Sequence, residues 1–295
     1  MSHVTVSEDL LPLVGNITND ICSVDHYDFS LANSSYEARV QAVTKVASIC
    51  YGNPKALGSI SLFDRLQAEA AGLPSSSYEF VPVLLSVKQL VDVTNTKLNI
   101  HLETKTKAVQ TKAVIKFGEY IHTDKGSYVL TNLRALIADV GPEESLNYLN
   151  TTPEEIQIIK DNFKVFLFNV DLSTRAQMVR HRCSWQELSR RYVSGKKQPF
   201  EFYVSEKMKG LEHECSNFGR YSTEFIIQTC IDHYNYAIAT GVKPEEARRI
   251  LPQAMMTTIW GAFQPAQLAN FFTLRLDKSA QREIRTVAEA MKELI

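Results

Sequence analysis

Cationic and polar side chains are concentrated in the segment 177–192, QMVRHRCSWQELSRRY. Its cations are Arg180, His181, Arg182, Arg190 and Arg191, and its short polar side chains are Ser184, Gln186, Glu187 and Ser189. Arginine guanidinium groups bind phosphate and carboxylate oxygens in a bidentate way, and a nearby hydroxyl group can orient the anion. Trp185, Leu188 and Tyr192 are interleaved apolar anchors that would bury the segment. The pattern predicts an anion-binding site, and the alternative is a solvated basic face of a helix.

A second group of polar residues lies near the C-terminal end of the sequence. Arg248 closely precedes a proline, and Asn270 and Arg275 stand inside the apolar run LANFFTLRL. A buried polar side chain without a partner is costly, so both residues of the run need hydrogen-bonding groups. Two interpretations of these residues stay open. They form a ligand site, or Arg275 pairs internally with Asp277 or Glu283.

Length and composition limit the remaining classes of function. The chain has 295 residues with 32 basic and 33 acidic side chains, a formal net charge of −1, which argues against a protein that coats nucleic acid. No apolar stretch is long enough to span a bilayer, and residues 1–10 do not resemble a secretory signal. We therefore expect a cytoplasmic protein, or one of the host cytoplasm if the source is viral. The five scattered cysteines form no CxxC pair and the histidines lack metal-ligand spacing, so we expect free thiols and no metal site.

Apolar periodicity predicts the elements that would position these groups. We expect helices at about 36–51, 55–71, 215–240, 265–274 and 279–294, and another that begins near Ser173 with a Thr174–Gln177 capping box. We expect strands at 78–87, 98–102, 113–117 and 164–170, a turn entering a helix at 128–140, and a helix start at 152–155. Because the strands would be mostly N-terminal and the helices mostly C-terminal, the predicted class is α+β.

In order and spacing, the two polar groups resemble motifs of the flavin-dependent thymidylate synthases. That family carries an Arg-His-Arg motif followed by seven residues and a serine, and here residues 180–192 read RHRCSWQELSRRY. A second family pattern is matched by EEARRILP at 245–252, QPAQLANFFTLR at 264–275 and AQREIR at 280–285. A weaker match covers 75–83.

This resemblance implies a fold, a reaction and an assembly. The fold is a central, mostly antiparallel sheet with helices, in one catalytic domain over residues 1–295 with an insertion at about 84–160. The reaction is methylation of dUMP at C5 to dTMP, with methylenetetrahydrofolate as carbon donor and NADPH supplying reducing equivalents through FAD. The family forms homotetramers with active sites between subunits, and its partners are dUMP and folate, not nucleic acid or membranes.

The resemblance also assigns roles by position in the motifs. Arg275 and Ser189 would be catalytic. The residues for dUMP would be Gln177, which also borders the flavin and folate region, Glu187, Ser189, Arg190, Arg191, Arg248 and Arg275. The residues for FAD would be Ser76, Glu79, Arg180, His181, Arg182, Gln264 and Asn270. Arg275 would stabilise charge developing on the uracil ring, and no protein nucleophile such as Cys183 is required.

The sequence departs from the family pattern in two ways. Six residues separate Arg182 from Ser189, one fewer than in the family, and on a helix a one-residue deletion rotates the downstream residues by roughly 100°. Unless a loop absorbs the deletion, these two residues cannot both keep their family positions. If the stretch is helical, Glu187 orders Arg190 and Arg191. On the flavin side, residues that differ from the family stand at Pro74, Phe80, Gln264, Ala266 and Ser279.

Two other functions stay open, because the losses fall mainly on the flavin side. A paralogue could transfer a one-carbon unit without the final reduction and form a 5-hydroxymethyl pyrimidine nucleotide. A nucleotide-binding subunit could have lost catalysis altogether. The insertion at about 84–160 could cover the active site, alter the folate pocket or form a partner surface.

Overall fold

The computed structural model describes residues 15–67, 74–96, 112–215 and 219–295. Their strands are β1 (Asn16–Thr18), β2 (Cys22–Tyr27), β3 (Pro82–Ser86), β4 (Glu119–Thr123), β5 (Gly126–Asn132), β6 (Lys164–Asp171), β7 (Ser184–Glu187), β8 (Glu201–Tyr203), β9 (Glu212–Cys215), β10 (Gly219–Ser222) and β11 (Met256–Phe263). Their α-helices are α1 (Tyr36–Cys50), α2 (Ile60–Gln67), α3 (Val87–Thr96), α4 (Ala113–Lys116), α5 (Leu133–Val140), α6 (Pro142–Ser145), α7 (Pro153–Asn162), α8 (Leu172–Met178), α9 (Thr223–Ala239), α10 (Pro244–Ala247), α11 (Pro265–Arg275) and α12 (Arg282–Glu293). Short 3-10 helices lie at Pro54–Ala56, Ser76–Phe80 and Arg248–Ile250.

Strands β6, β11 and β7 of the C-terminal half form a four-stranded antiparallel sheet together with β2. The strand order is β2-β6-β11-β7. Its inner strands β6 and β11 pair over their full eight residues. One face, with Val165 and Trp260, packs in the same core as α1. The other face, with Phe168, packs in a second core with Ile284 of α12. Because both faces are covered, the two inner strands are apolar along most of their length.

The central segment, residues 82–96 and 112–152, forms a second antiparallel sheet, in the order β3-β5-β4. Pro82 begins β3 at its edge, as expected of a residue without an N–H to donate. The buried Arg39 of α1 ties this segment to the rest: its Nε donates to Asn33 Oδ1 (2.7 Å) and its Nη2 to the Ser145 carbonyl (3.0 Å). The segment therefore shares a core with α1, and the assignment of one domain stays a prediction.

Several expectations are confirmed. The mixture of helices with antiparallel sheets confirms the α+β class. Helices α1, α11 and α12 and strand β6 lie close to their predicted bounds. Helix α7 begins at the predicted cap, where Thr152 Oγ1 accepts from Glu155 N (3.2 Å) and the Glu155 carboxylate accepts from Thr152 N (3.2 Å).

Other expectations are wrong because long-range contacts override local pattern. Residues 113–116 form helix α4 and not a strand, since the distant Asp139 carboxylate accepts from Ala113 N (3.1 Å) and Val114 N (2.9 Å). Residues 128–132 belong to β5 and not to a turn, because β3 and β4 pair with them on both sides. The expected strand at 98–102 lies outside the described residues.

The C-terminal half contains more strand than expected. Strand β11 is one of the two inner strands of the four-stranded sheet. The predicted helix at 215–240 begins only at Thr223, after the antiparallel pair β9-β10. The predicted helix at 55–71 likewise begins later, at Ile60. The cap of α8 is Asp171, whose carboxylate accepts from the amides of residues 173 and 174 (2.8 and 3.1 Å), so the Thr174–Gln177 capping box is wrong.

Candidate functional site

The Arg-His-Arg segment is a turn, a strand and a loop. Residues 180–183 turn from α8 into β7, which pairs with β11. After the strand, Leu188 N donates to the Thr258 carbonyl (2.8 Å). The residue missing between Arg182 and Ser189 is therefore absorbed outside any helix, so no helical rotation results. The solvated basic helix is excluded as an interpretation of this segment.

Glu187, at the end of β7, is held from two neighbouring elements. Its Oε2 accepts hydrogen bonds from both Nε (2.8 Å) and Nη2 of Arg175 on α8. Its Oε1 accepts from Thr257 Oγ1 on β11 (3.1 Å). The expectation that Glu187 orders Arg190 and Arg191 is therefore wrong. Arg175 belongs to the site region, although no sequence motif marks it.

His181 and Arg275 join the turn to helix α11. Arg275 Nε donates to His181 Nε2 (2.8 Å), and its Nη2 donates to the Gln177 carbonyl (3.2 Å). The His181 ring also packs on Phe271 with centroids 4.7 Å apart, and its carbonyl accepts from Trp185 Nε1 (3.0 Å). Burial, and then the charge of Arg275, lower the pKa of His181 below its ordinary value. The neutral imidazole is thus an acceptor that fixes the guanidinium.

Arg275 has no acidic partner among the described residues. The alternative interpretation, pairing with Asp277 or Glu283, is wrong: Asp277 accepts from Ser279 instead. Burial, and then the nearby Arg180, lower the pKa of Arg275. Neither arginine forms an ion pair with any residue that the structure describes, and two such neighbouring cations favour the arrival of an anionic group.

Arg190 points into the protein interior. Its Nη1 donates to the Gln198 carbonyl (2.8 Å), and its guanidinium lies 4.9 Å from the ring centroid of Phe200. Burial is the main cause that lowers the pKa of Arg190. These contacts position the loop after β7, and the assigned role in binding dUMP stays a prediction.

Arg191 and Arg248 lie at one exposed corner of the protein. Arg191 Nε donates to Glu245 Oε2 on α10 (3.0 Å). Glu245 lies one helical turn before Arg248, so the ion pair brings the loop after β7 next to Arg248. Ser189 anchors the start of this loop, where its N–H donates to the Cys50 carbonyl (2.9 Å).

A cavity of about 750 Å³ lies between the central segment and the C-terminal half. Three of the residues expected to bind the cofactor line it: Glu79, Arg182 and Gln264. Three charged residues that were not predicted from the sequence also line it: Lys116, Glu119 and Arg134. No motif marks these three, and they reach the cavity only because the central segment folds against α11.

The cavity carries an excess of positive charge. Glu79 Oε1 is paired with Arg134 Nη1 (2.7 Å), and the Glu119 carboxylate accepts from Ala266 N in the first turn of α11 (3.0 and 3.1 Å). Lys116 and Arg182 form no ion pair with any residue that the structure describes. Glu79 is thus neutralised by Arg134, while Glu119 keeps its charge and is held by an amide at the start of α11. Three cations against two carboxylates leave the lining with one net positive charge.

The other assigned residues lie apart from this cavity lining. Ser76 Oγ donates to the side-chain oxygen of Gln186 on β7. Gln177 Nε2 donates to Gln281 Oε1 (2.7 Å), and Asn270 is exposed on α11. The structure thus brings the FAD-assigned residues into two neighbouring groups, one at the cavity and one around the Arg-His-Arg turn.

Residues 160–295 match the family described as thymidylate synthase complementing protein. Over this region the chain is also similar to flavin-dependent thymidylate synthases. Such a synthase from Aquifex aeolicus is 33% identical over 146 residues, which cover 45% of this chain and 45% of that protein. One from Geobacter sulfurreducens is 34% identical over 134 residues, 44% of this chain and 56% of that protein. The chain thus spans about half the length of the curated relatives that it matches.

A solved structure also resembles this chain: a UMP/dUMP methylase, PolB, from Streptomyces cacaoi bound with 5-Br dUMP. The two are 22% identical with a TM-score of 0.36, and the likeness covers 54% of this chain and 81% of that one.

Residues 160–295, called the family region below because they match the family model, contain the turn, β11 and α11. Ser76 and Glu79, by contrast, precede the matched region, as does the whole central segment. One wall of the cavity therefore comes from the family region and the opposite wall from chain outside it.

Thiols and possible metal ligands are the other reactive groups. Burial raises the pKa of the Cys183 thiol well above its ordinary value, which disfavours a nucleophilic thiolate beside the turn. Across the described ranges, no three His, Cys, Asp or Glu side chains are grouped to hold a metal ion. Within the same ranges, no helix combines the length and apolarity needed to cross a bilayer.

Proposed function

We propose that the chain catalyses the flavin-dependent methylation of dUMP at C5, forming dTMP, with methylenetetrahydrofolate as carbon donor and NADPH as the source of reducing equivalents. The observation that carries the proposal is the position of the Arg-His-Arg turn. On one side the turn contacts Arg275 through His181, and on the other it lines the cavity through Arg182. A single turn thus joins the group expected to act on uracil to the space expected to hold the cofactor.

The cavity suits FAD in size and charge. Its volume of about 750 Å³ falls within the range of roughly 300–1,000 Å³ common for cofactor and ligand sites. Lys116 and Arg182 offer unpaired cations to the anionic diphosphate, and Gln264 lines the same space. When bound, the flavin supplies hydride chemistry that no side chain provides.

The exposed corner with Arg191 and Arg248 is the proposed site of the dUMP phosphate. Two guanidinium groups from different elements can bind a phosphate from two directions. The Glu245 ion pair orients Arg191 before the nucleotide arrives. Ser189, whose amide is anchored to the Cys50 carbonyl, begins the same loop.

Arg275 is the proposed electrostatic catalyst. Uracil C5 is a weak nucleophile, and a cation at the uracil oxygen favours the enolate-like form in which C5 attacks. Nε and Nη2 of Arg275 are already bound, so Nη1, which donates to no described residue, is free for the substrate. Negative charge on the ring also relieves the repulsion between Arg275 and Arg180.

We further propose a cytoplasmic homotetramer with active sites between subunits. Helix α9 exposes Phe225, Ile226 and Tyr236, and a second copy of the chain could cover this apolar face. All five cysteines are free thiols, which is consistent with a reducing compartment. Sedimentation equilibrium measures the assembly directly.

The reaction is tested with purified protein, FAD, dUMP, methylenetetrahydrofolate and NADPH, with the product identified by mass spectrometry. Formation of dTMP supports the proposal. A 5-hydroxymethyl nucleotide would replace it with the paralogue reaction, and binding of dUMP without FAD uptake or turnover would replace it with a binding subunit. Arg275→Gln should abolish turnover, whereas Arg220→Gln, which removes an exposed arginine on β10, should not.

A further inference from the structure

The central segment contributes one guanidinium to the cavity in a defined orientation. Arg134, in the first turn of α5, lines the cavity opposite α11. Its Nε donates to the Pro74 carbonyl (2.8 Å) and its Nη1 to Glu79 Oε1 (2.7 Å). Two of the three guanidinium nitrogens are therefore anchored, and the side chain loses little further freedom when it binds a ligand.

The third nitrogen is available. Arg134 Nη2 donates to no residue within the described ranges, although an arginine presents five N–H donors in a planar fork. The Glu79 carboxylate neutralises the positive charge of Arg134, which weakens the electrostatic attraction of this guanidinium for an anion. The guanidinium still keeps its directional N–H donors. Lys116 and Arg182 line the same cavity and restore a positive field. This combination is suited to an anion with several oxygens rather than to a neutral ring.

The residues at the start of α11 that line the cavity, Gln264, Ala266 and Gln267, include no cation. In the first turn of α11, position 266 is an alanine, and its amide is bound by the Glu119 carboxylate. Carboxylate oxygens already occupy this helix end, so an anionic ligand has to bind toward Arg134 and not toward α11.

We propose that Arg134 binds the diphosphate of the flavin dinucleotide, so that a residue outside the family region selects the cofactor. This inference rests on the proposed function for the identity of the ligand. The anion-binding role itself rests on the geometry of the cavity alone.

The test measures the dissociation constants of FAD, riboflavin and ADP by calorimetry for the wild type and three variants. Arg134→Gln should weaken FAD and ADP roughly 10- to 100-fold, the range expected for losing a charge-assisted hydrogen bond, and leave riboflavin unchanged. Arg134→Lys should fall between, since it keeps the charge without the fork. Arg220→Gln is the matched control, because it removes an exposed arginine that also pairs with a glutamate. Circular dichroism checks that each variant is folded.

A double variant separates a direct role from an indirect one. If Arg134→Gln acts only by releasing the Glu79 charge, then Glu79→Gln combined with it restores FAD affinity, which would overturn the proposal. The proposal would also be overturned if Arg134→Gln weakened riboflavin and FAD binding equally, or if it weakened the binding of methylenetetrahydrofolate and left FAD affinity unchanged.

The same measurements distinguish the inference from the proposed function. If ADP binding depends on Arg134 in a protein that forms no dTMP, the inference is supported while the proposed function fails. Formation of dTMP with unchanged FAD affinity in Arg134→Gln refutes the inference alone, and a wild type that binds neither FAD nor ADP refutes both.

Discussion

Replacing His181 with phenylalanine tests whether the imidazole positions Arg275. Phenylalanine keeps the aromatic contact with Phe271 but removes the acceptor that receives the 2.8 Å hydrogen bond from Arg275 Nε. A hydrogen bond from a charged donor contributes about 1.5–3 kcal/mol. If that energy is expressed in the transition state, kcat/KM for dUMP falls roughly 10- to 100-fold, since about 1.4 kcal/mol corresponds to a factor of ten.

The same substitution changes how stability depends on pH. In the folded protein, the pKa of His181 lies below its ordinary value of about 6.5, so the neutral form is favoured. As pH falls below about 6.5, the unfolded chain takes up a proton that the folded chain does not, and the free energy of unfolding decreases by up to about 1.4 kcal/mol per pH unit. This loss stops below the folded pKa. His181→Phe should make the decrease shallower as the pH falls below about 6.5.

The assay combines steady-state kinetics with urea denaturation at several pH values. His26→Phe is the matched control, because burial also lowers the pKa of His26 and its ring packs on Phe166, 5.3 Å away. We expect it to reduce the pH dependence of stability and leave kcat/KM unchanged. His181→Gln, which keeps an acceptor, should retain more activity than His181→Phe. Unchanged kcat/KM and an unchanged pH dependence in His181→Phe would refute the reasoning.

Three further substitutions test the scaffold. Gly261→Ala would place a Cβ 2.6 Å from Cζ3 of Trp185, so urea denaturation should show a loss of about 1–3 kcal/mol; wild-type stability would contradict this packing. Asp139→Ala removes the acceptor for two amides of α4, and we expect faster hydrogen exchange at Val114 and a loss of about 1–3 kcal/mol, with a smaller loss in Asp139→Asn; equal protection would argue against the contact. Thr152→Ala should destabilise the protein by about 1 kcal/mol in thermal denaturation, whereas Thr152→Ser should be nearly neutral, and equal losses in both would exclude a capping role.

The fold was predictable where the signal is local. Helix α7 begins at Thr152 because its cap uses side chains only three residues apart, and this spacing is visible in the sequence. Strand β6 is apolar because the sheet is covered on both faces. The short helix at residues 113–116 was missed, since Asp139 stabilises its start from 26 residues away.

The candidate site, like the fold, was predictable from the sequence only in part. Motif order alone picked out the Arg-His-Arg segment, Arg275 and the resemblance to the family, because those residue types recur at fixed spacing. Only the tertiary structure decided that His181 is the acceptor for Arg275, and that Arg134 pairs with Glu79 in the cavity wall. The physical reason is that a guanidinium recognises an acceptor by position in space, and a separation of 55 residues leaves no periodic trace of that contact in the sequence.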